Sequence, residues 1–223
     1  MEAGFWHERW ATGRIAFHEG APNALLERNL AALGLKTGAR IFVPLCGKAV
    51  DLAWLAARGH DVVGAELDQR AVEAFFDEQS LTPEISSHGT LKRYRADAIT
   101  IYQGDIFDLR AADIGEIDAV FDRAALVALP PDMRARYAPH LAAITAQAPQ
   151  LLITFEYDNP AMQGPPHSVP FEEVAALYGD DFEIKIIERR EIAGPLRQRT
   201  TGAEIAYHIL ARGGGMSDER AGP

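Results

Sequence analysis

Short apolar runs alternate along the chain with longer stretches in which apolar positions recur every three or four residues, the pattern of parallel strands covered by helices. Residues 40–45 (RIFVPL) predict a buried strand, and 50–58 (VDLAWLAAR) a helix closed by Gly59. Residues 61–66 (DVVGAE) predict the next strand. Asp68 then caps a helix that runs to Gln79 with Ala71, Val72, Phe75 and Phe76 on one face. Together these segments make one βαβα unit.

The pattern continues with residues 92–96 and 99–103 flanking Asp97-Ala98, where the alternation in ITIYQGD predicts a strand emerging from a hairpin or tight turn. A further strand is predicted over 117–122, and Pro130-Pro131 starts a helix that runs from Asp132 to Gln147. Residues 150–157 (QLLITFEY) read as a strand, 158–167 as an irregular segment rich in Pro and Gly, and 171–178 as a short helix. Residues 182–190 and 204–210 predict two strands with no helix between them, hence an antiparallel pair at the sheet edge. The expected fold is α/β, a Rossmann-like, doubly wound sheet of seven strands with an antiparallel last strand. A single domain is expected over residues 1–212, with 1–39 outside the sheet; 213–223 (GGGMSDERAGP) cannot bury a face and reads as a frayed tail.

Composition narrows the function classes. With 223 residues, 48% hydrophobic and 24% charged, the chain has the balance of a globular domain. No apolar run is long enough to span a bilayer, and Glu2 and Glu8 stand where a secretory leader needs basic and then apolar residues, so a cytoplasmic, membrane-free protein is expected. One cysteine, Cys46, and seven histidines without zinc spacing indicate no metal site. A net charge of −10 opposes binding to phosphate backbones, so no nucleic-acid partner is expected. Oligomeric state is open on sequence, with a monomer preferred. Arg189, Arg190, Arg197 and Arg199 cluster against that mean, and their plain reading is the solvated edge of the late hairpin.

Candidate chemistry begins with the loop Pro44-Leu45-Cys46-Gly47-Lys48 after the first strand and with Glu66, which ends the second, nineteen residues after Gly47. That is the spacing at which a carboxylate takes up a ribose diol at the switch point of an open α/β sheet. The loop has a single glycine, whereas a pyrophosphate needs close backbone approach over several residues. The spacing therefore favours an adenosine-type ligand over a nicotinamide dinucleotide. A plainer reading also stands, in which Gly47 permits a tight turn and Glu66 caps the next helix.

The run from Phe42 to Glu66, FVPLCGKAVDLAWLAARGHDVVGAE, resembles the cofactor segment of the thiopurine S-methyltransferase family in its bacterial form. FWHERWATGRIAFHE (5–19), FFDE (75–78) and DAVFDRAALVALPPDMRARYAPHL (118–141) match the family in the same order. The resemblance implies a class I methyltransferase with S-adenosylmethionine as methyl donor and residues 1–39 as a lid. Its acceptors would be small aromatic or heterocyclic thiols, with selenium or tellurium compounds also associated with the family. It further implies that Trp10 packs on the cofactor, that Leu45 and Gly47 contact it in the loop, and that Glu66 holds its ribose hydroxyls. Asp105 and Ile106 would border the adenine, and Arg123 would stand in the cofactor site close to the acceptor. Arg123 is also the candidate to stabilise a substrate thiolate, with Arg197 a weaker one. No dedicated base is required, because a heteroaromatic thiol is more acidic than the ~8.5 of a cysteine.

Each of these residues has a structural counterpart reading. Trp6 and Trp10 lie four apart and can form one apolar helix face; Cys46 reads as a packing residue, and His7 and His18 as surface or lid histidines. Two other functions stay open on sequence: a nicotinamide-dependent oxidoreductase on the same sheet, and a noncatalytic nucleoside-binding protein.

Overall fold

The computed structural model describes residues 3–15, 18–162 and 164–212; the predicted tail, 213–223, lies outside them. Helices α1 (Ala3–Ala11) and α2 (Ala24–Asn29) come before strand β1 (Arg40–Val43). Helix α3 (Asp51–Ala56), strand β2 (Asp61–Glu66) and helix α4 (Gln69–Glu78) complete the first unit. Strands β3 (Glu84–His88), β4 (Leu91–Ala96) and β5 (Ile99–Gln103) follow, and then helix α5 (Ala111–Ile114). The second half consists of β6 (Ala119–Arg123), α6 (Pro131–Ile144), β7 (Gln150–Glu156), α7 (Phe171–Tyr178), β8 (Phe182–Glu191) and β9 (Ala203–Ala211).

All strands join one sheet in the order β3-β4-β5-β2-β1-β6-β7-β9-β8. The middle is parallel, as expected of strands joined through helices, and β9 runs antiparallel between β7 and β8. Strand order reverses at β1, which places the switch point between β1 and β6. The sheet has nine strands where seven are expected. The extension is the β3–β4 hairpin on β5. Strand β3 (EISSH) has no apolar face, and its Ile85 is 56% exposed, so backbone pairing alone makes it a strand and periodicity carries no trace of it.

The core lies on both faces of the sheet because successive side chains of β1 point to opposite sides. Phe42 joins Val63, Tyr102, Val120 and Tyr137 on one face; Ile41 and Val43 join Leu52, Val62, Phe75 and Ile101 on the other. The predicted lid divides here. Helix α2 is part of the core, with Leu25 and Leu26 fully buried and Asn23 capping its first N–H groups at 2.9 and 3.3 Å. Helix α1 buries no residue.

Gly64 shows why the lone cysteine is there. A Cβ at this position would lie 2.8 Å from Cys46 Sγ, 3.2 Å from Leu52 and 3.3 Å from Ile101, so the thiol fills the space that glycine leaves on β2. Gly64→Val is therefore expected to destabilise the fold by about 1–3 kcal/mol through overpacking, read as a lower urea midpoint at constant slope. An unchanged midpoint would show that Cys46 and Leu52 yield at no cost.

Candidate active site

A cavity of about 340 Å³ opens beyond the carboxyl ends of β1, β2, β5, β6 and β7, and α1 roofs it. The β1 exit shapes its floor. Leu45 holds a left-handed backbone (φ +44°), a conformation that costs a non-glycine residue of order 1 kcal/mol, and Gly47 follows at φ +54°. A Cβ on Gly47 would come within 3.3 Å of the Trp10 ring, so the glycine lets the roof meet the loop.

Loop and acid are joined directly. The Gly47 N–H donates to Glu66 Oε2 at 2.9 Å and the Asp68 N–H to Oε1 at 2.8 Å, which leaves each carboxylate oxygen a further lone pair. Glu66 is 6% exposed. Burial pushes its carboxyl up to about 7, against the lowering effect of those two N–H bonds. Glu66 is not the cap of α4; the Asp68 side chain is, accepting the Arg70 N–H at 2.9 Å.

Beyond β5, Asp105 caps a short turn by accepting the Phe107 N–H at 3.0 Å, and the buried Ile106 faces the same cavity. At the end of β6 the Arg123 side chain is only 12% exposed, and its Nη2 lies 2.8 Å from Glu19 Oε1. Ala124 then takes φ +66°. The turn is organised from below by Asp122, which is fully buried and accepts the Tyr137 hydroxyl at 2.7 Å and the Leu126 N–H at 3.1 Å. Burial pushes the Asp122 carboxyl up to about 6 and the Tyr137 hydroxyl well above its ordinary value. The visible signal for this pair was an aspartate inside an apolar strand, a residue type rarely buried without a partner.

Trp10, Leu45, Gly47, Glu66, Asp105, Ile106 and Arg123 all line this one cavity. Arg197 does not. It sits on an exposed turn, and two other members of the arginine cluster, Arg190 and Arg199, face the cavity instead. Arg190 pairs there with the buried Glu204 at 2.7 Å, while Arg189 pairs with Glu156 outside it. His18 lines the cavity, and burial, with Lys48 adding to it, lowers its pKa; the exposed His7 does not line it. Cys46 is buried, and burial raises its thiol pKa well above the ordinary range, as suits a packing residue. Among the described residues no three His, Cys, Asp or Glu side chains gather to hold a metal ion, and no helix is long and apolar enough to cross a membrane.

A parallel sheet with its switch point between β1 and β6 and an antiparallel β9 set between β7 and β8 is the class I methyltransferase fold, and Gly47 and the buried Glu66 meet at the carboxyl end of that sheet. Magnesium protoporphyrin IX methyltransferase from Synechocystis PCC 6803, solved with S-adenosylhomocysteine bound, shares the fold at a TM-score of 0.62 and 15% identity, covering 94% of this chain and 100% of that one. Residues 1–212 match the family model for thiopurine S-methyltransferase. A thiopurine S-methyltransferase from Xanthobacter autotrophicus is 51% identical over 208 residues, 93% of this chain and 98% of the relative. One from Pseudomonas aeruginosa is 46% identical over 218 residues, 96% and 100%. The chain belongs to the thiopurine S-methyltransferase family, and it is an enzyme whose methyl donor is S-adenosylmethionine.

Proposed function

We propose that the enzyme methylates the sulfur of a small aromatic or heterocyclic thiol of the thiopurine type, with selenols and tellurols as further soft acceptors. One observation carries this reading: the Glu66 cradle and Arg123 open into the same cavity, whose other walls include Leu45, Val127, Leu129, Met133 and Phe155. Apolar walls suit a flat ring, and a guanidinium favours the thiolate form of its sulfur. The relatives at 51% and 46% identity are named for thiopurine S-methylation, which supports the thiol part of this reading.

S-adenosylmethionine brings a methyl group activated on a positively charged sulfur. The protein's part is to hold, orient and exclude water. Glu66 is set to accept the ribose hydroxyls through its spare lone pairs, and Trp10 and Gly47 close the floor against the roof. Asp105 and Ile106 offer an acceptor and an apolar wall for the adenine. Arg123 stands on the acceptor side, with no acid/base dyad needed because the thiol supplies its own anion.

Calorimetry should show S-adenosylhomocysteine binding in the micromolar range, roughly −7 to −8 kcal/mol, with no heat from NAD. Labelled methyl should then pass from S-adenosylmethionine to members of an aryl and heteroaryl thiol panel. Binding of the cofactor with no methylated thiol would sink the proposed acceptor class, and binding of NAD alone would sink the cavity's reading altogether.

A further inference from the structure

Helix α1 brings Trp6, Arg9 and Trp10 to the cavity roof, yet none of its residues is buried. A helix of nine residues is not stable by itself in water, and one whose inner face, Phe5, Trp6, Arg9 and Trp10, is only half-buried depends on its attachments to stay in place. Its attachment on the α4 side is polar and specific. His7 Nδ1 lies 2.6 Å from Asp68 Oδ2, and the Arg70 Nη2 donates to the His7 carbonyl at 2.8 Å. Arg70 also binds Asp68 through Nε at 2.9 Å and Nη2 at 2.7 Å. Because a carboxylate only accepts, the His7 Nδ1 carries the hydrogen in this contact.

Asp68 is the pivot. Its side chain is 2% exposed, although both of its side-chain partners, His7 and Arg70, lie at the surface. It caps α4 with Oδ1, grips α1 through His7 with Oδ2, and donates its own N–H to Glu66 Oε1 at 2.8 Å. The lid and the carboxylate read as the ribose acceptor are therefore one residue apart in hydrogen-bond connectivity. Charge-assisted bonds of this length are among the stronger ones a surface helix can make.

We propose that His7, Asp68 and Arg70 form the latch of the α1 lid, and that through the Asp68 N–H the latch couples lid closure to the Glu66 cradle. The coupling rests on the cofactor reading of the cavity; the latch itself does not. His7 and Arg70 act as positioning residues. They touch neither cofactor nor acceptor, and their effect is on how long the lid stays shut. A lid of this kind governs cofactor exchange, so loosening it raises KM for S-adenosylmethionine and speeds release of the product without lowering kcat.

The test uses the full chain with His7→Leu, Arg70→Gln and His7→Asn, the last keeping a donor near the position of Nδ1. In ligand-free protein, hydrogen exchange of the amides in 3–11 should become about tenfold faster in His7→Leu and Arg70→Gln, while the sheet amides and Tm stay as in the wild type. Dissociation of S-adenosylhomocysteine, followed by stopped-flow Trp fluorescence with Trp54 replaced by Phe, should quicken by about tenfold in the same two proteins, and His7→Asn should restore most of both effects. Unchanged lid exchange in His7→Leu and Arg70→Gln overturns the latch, as does a His7→Asn protein that behaves like His7→Leu. A loosened lid with an unchanged dissociation rate overturns the coupling. Failure of the wild type to bind S-adenosylhomocysteine would instead strike the cofactor reading, with lid exchange in the ligand-free protein still deciding the latch.

Discussion

Arg123→Ala is expected to lower turnover of a weakly acidic thiol by about 10²-fold, the scale set by removing one preorganised charge-stabilising group from an active site. The side chain is largely enclosed and held at the end of β6 by a turn that Asp122 organises, so its charge is well placed before any substrate arrives. Its partner in the ligand-free protein, Glu19, is half exposed and also accepts from Asn23 Nδ2 at 3.5 Å. The loss should be greatest for the least acidic thiols, which depend most on nearby positive charge to ionise, and affinity for S-adenosylhomocysteine should fall only modestly. Arg123→Lys keeps the charge but not the planar fork, so it should recover much of the activity if the role is thiolate stabilisation. If Arg123 instead anchors the cofactor's carboxylate, affinity drops, every acceptor suffers alike and lysine rescues poorly. Steady-state rates for two thiols of different acidity, each across pH, decide the matter. Equal losses with an unmoved pH profile sink the thiolate role.

Glu66→Gln should weaken S-adenosylhomocysteine binding by about 1–3 kcal/mol, since charged hydrogen bonds become neutral ones while shape is kept. The carboxyl is pushed up to about 7 by burial, and only its ionised form can accept from two backbone N–H groups and a diol together. Affinity in the wild type should therefore rise as pH increases through about 7, and the glutamine variant should show no such rise. Stability of the ligand-free protein moves the other way. The folded value lies above the unfolded 4.5, so this group's contribution is fully present below 4.5 and is lost as pH rises through about 7. The melting-temperature gain on adding S-adenosylhomocysteine should accordingly grow across that window. A gain that stays flat with pH, or a folded glutamine variant with wild-type affinity, would leave Glu66 without a role in binding.

What could be read along the chain was what local burial writes into periodicity. β1 and β2 are buried on both faces and appear as unbroken apolar runs; α4 shows its core face at Val72, Phe75 and Phe76; Gly47 and Glu66 stand at a spacing that the βαβ unit imposes. Those features placed the fold class, the loop after β1 and Glu66, because each depends on contacts within one element or between consecutive ones. The family likeness added Trp10, Asp105, Ile106 and Arg123, which no periodicity marks.

The tertiary structure decided whatever depends on partners distant in sequence. β3 is a strand only because β4 offers its edge, and α2 is core rather than lid only because the sheet face receives Leu25 and Leu26. Within the arginine cluster, one turn of chain after β8 brings Arg199 to the cavity and leaves Arg197 outside, a difference of two residues that charge alone does not record. The Asp122–Tyr137 bond and the His7–Asp68–Arg70 contact join positions 15 and 63 residues apart in their longest spans. Such bonds leave no repeat in the sequence, since a side-chain hydrogen bond needs only two residues in reach and the fold alone brings them there.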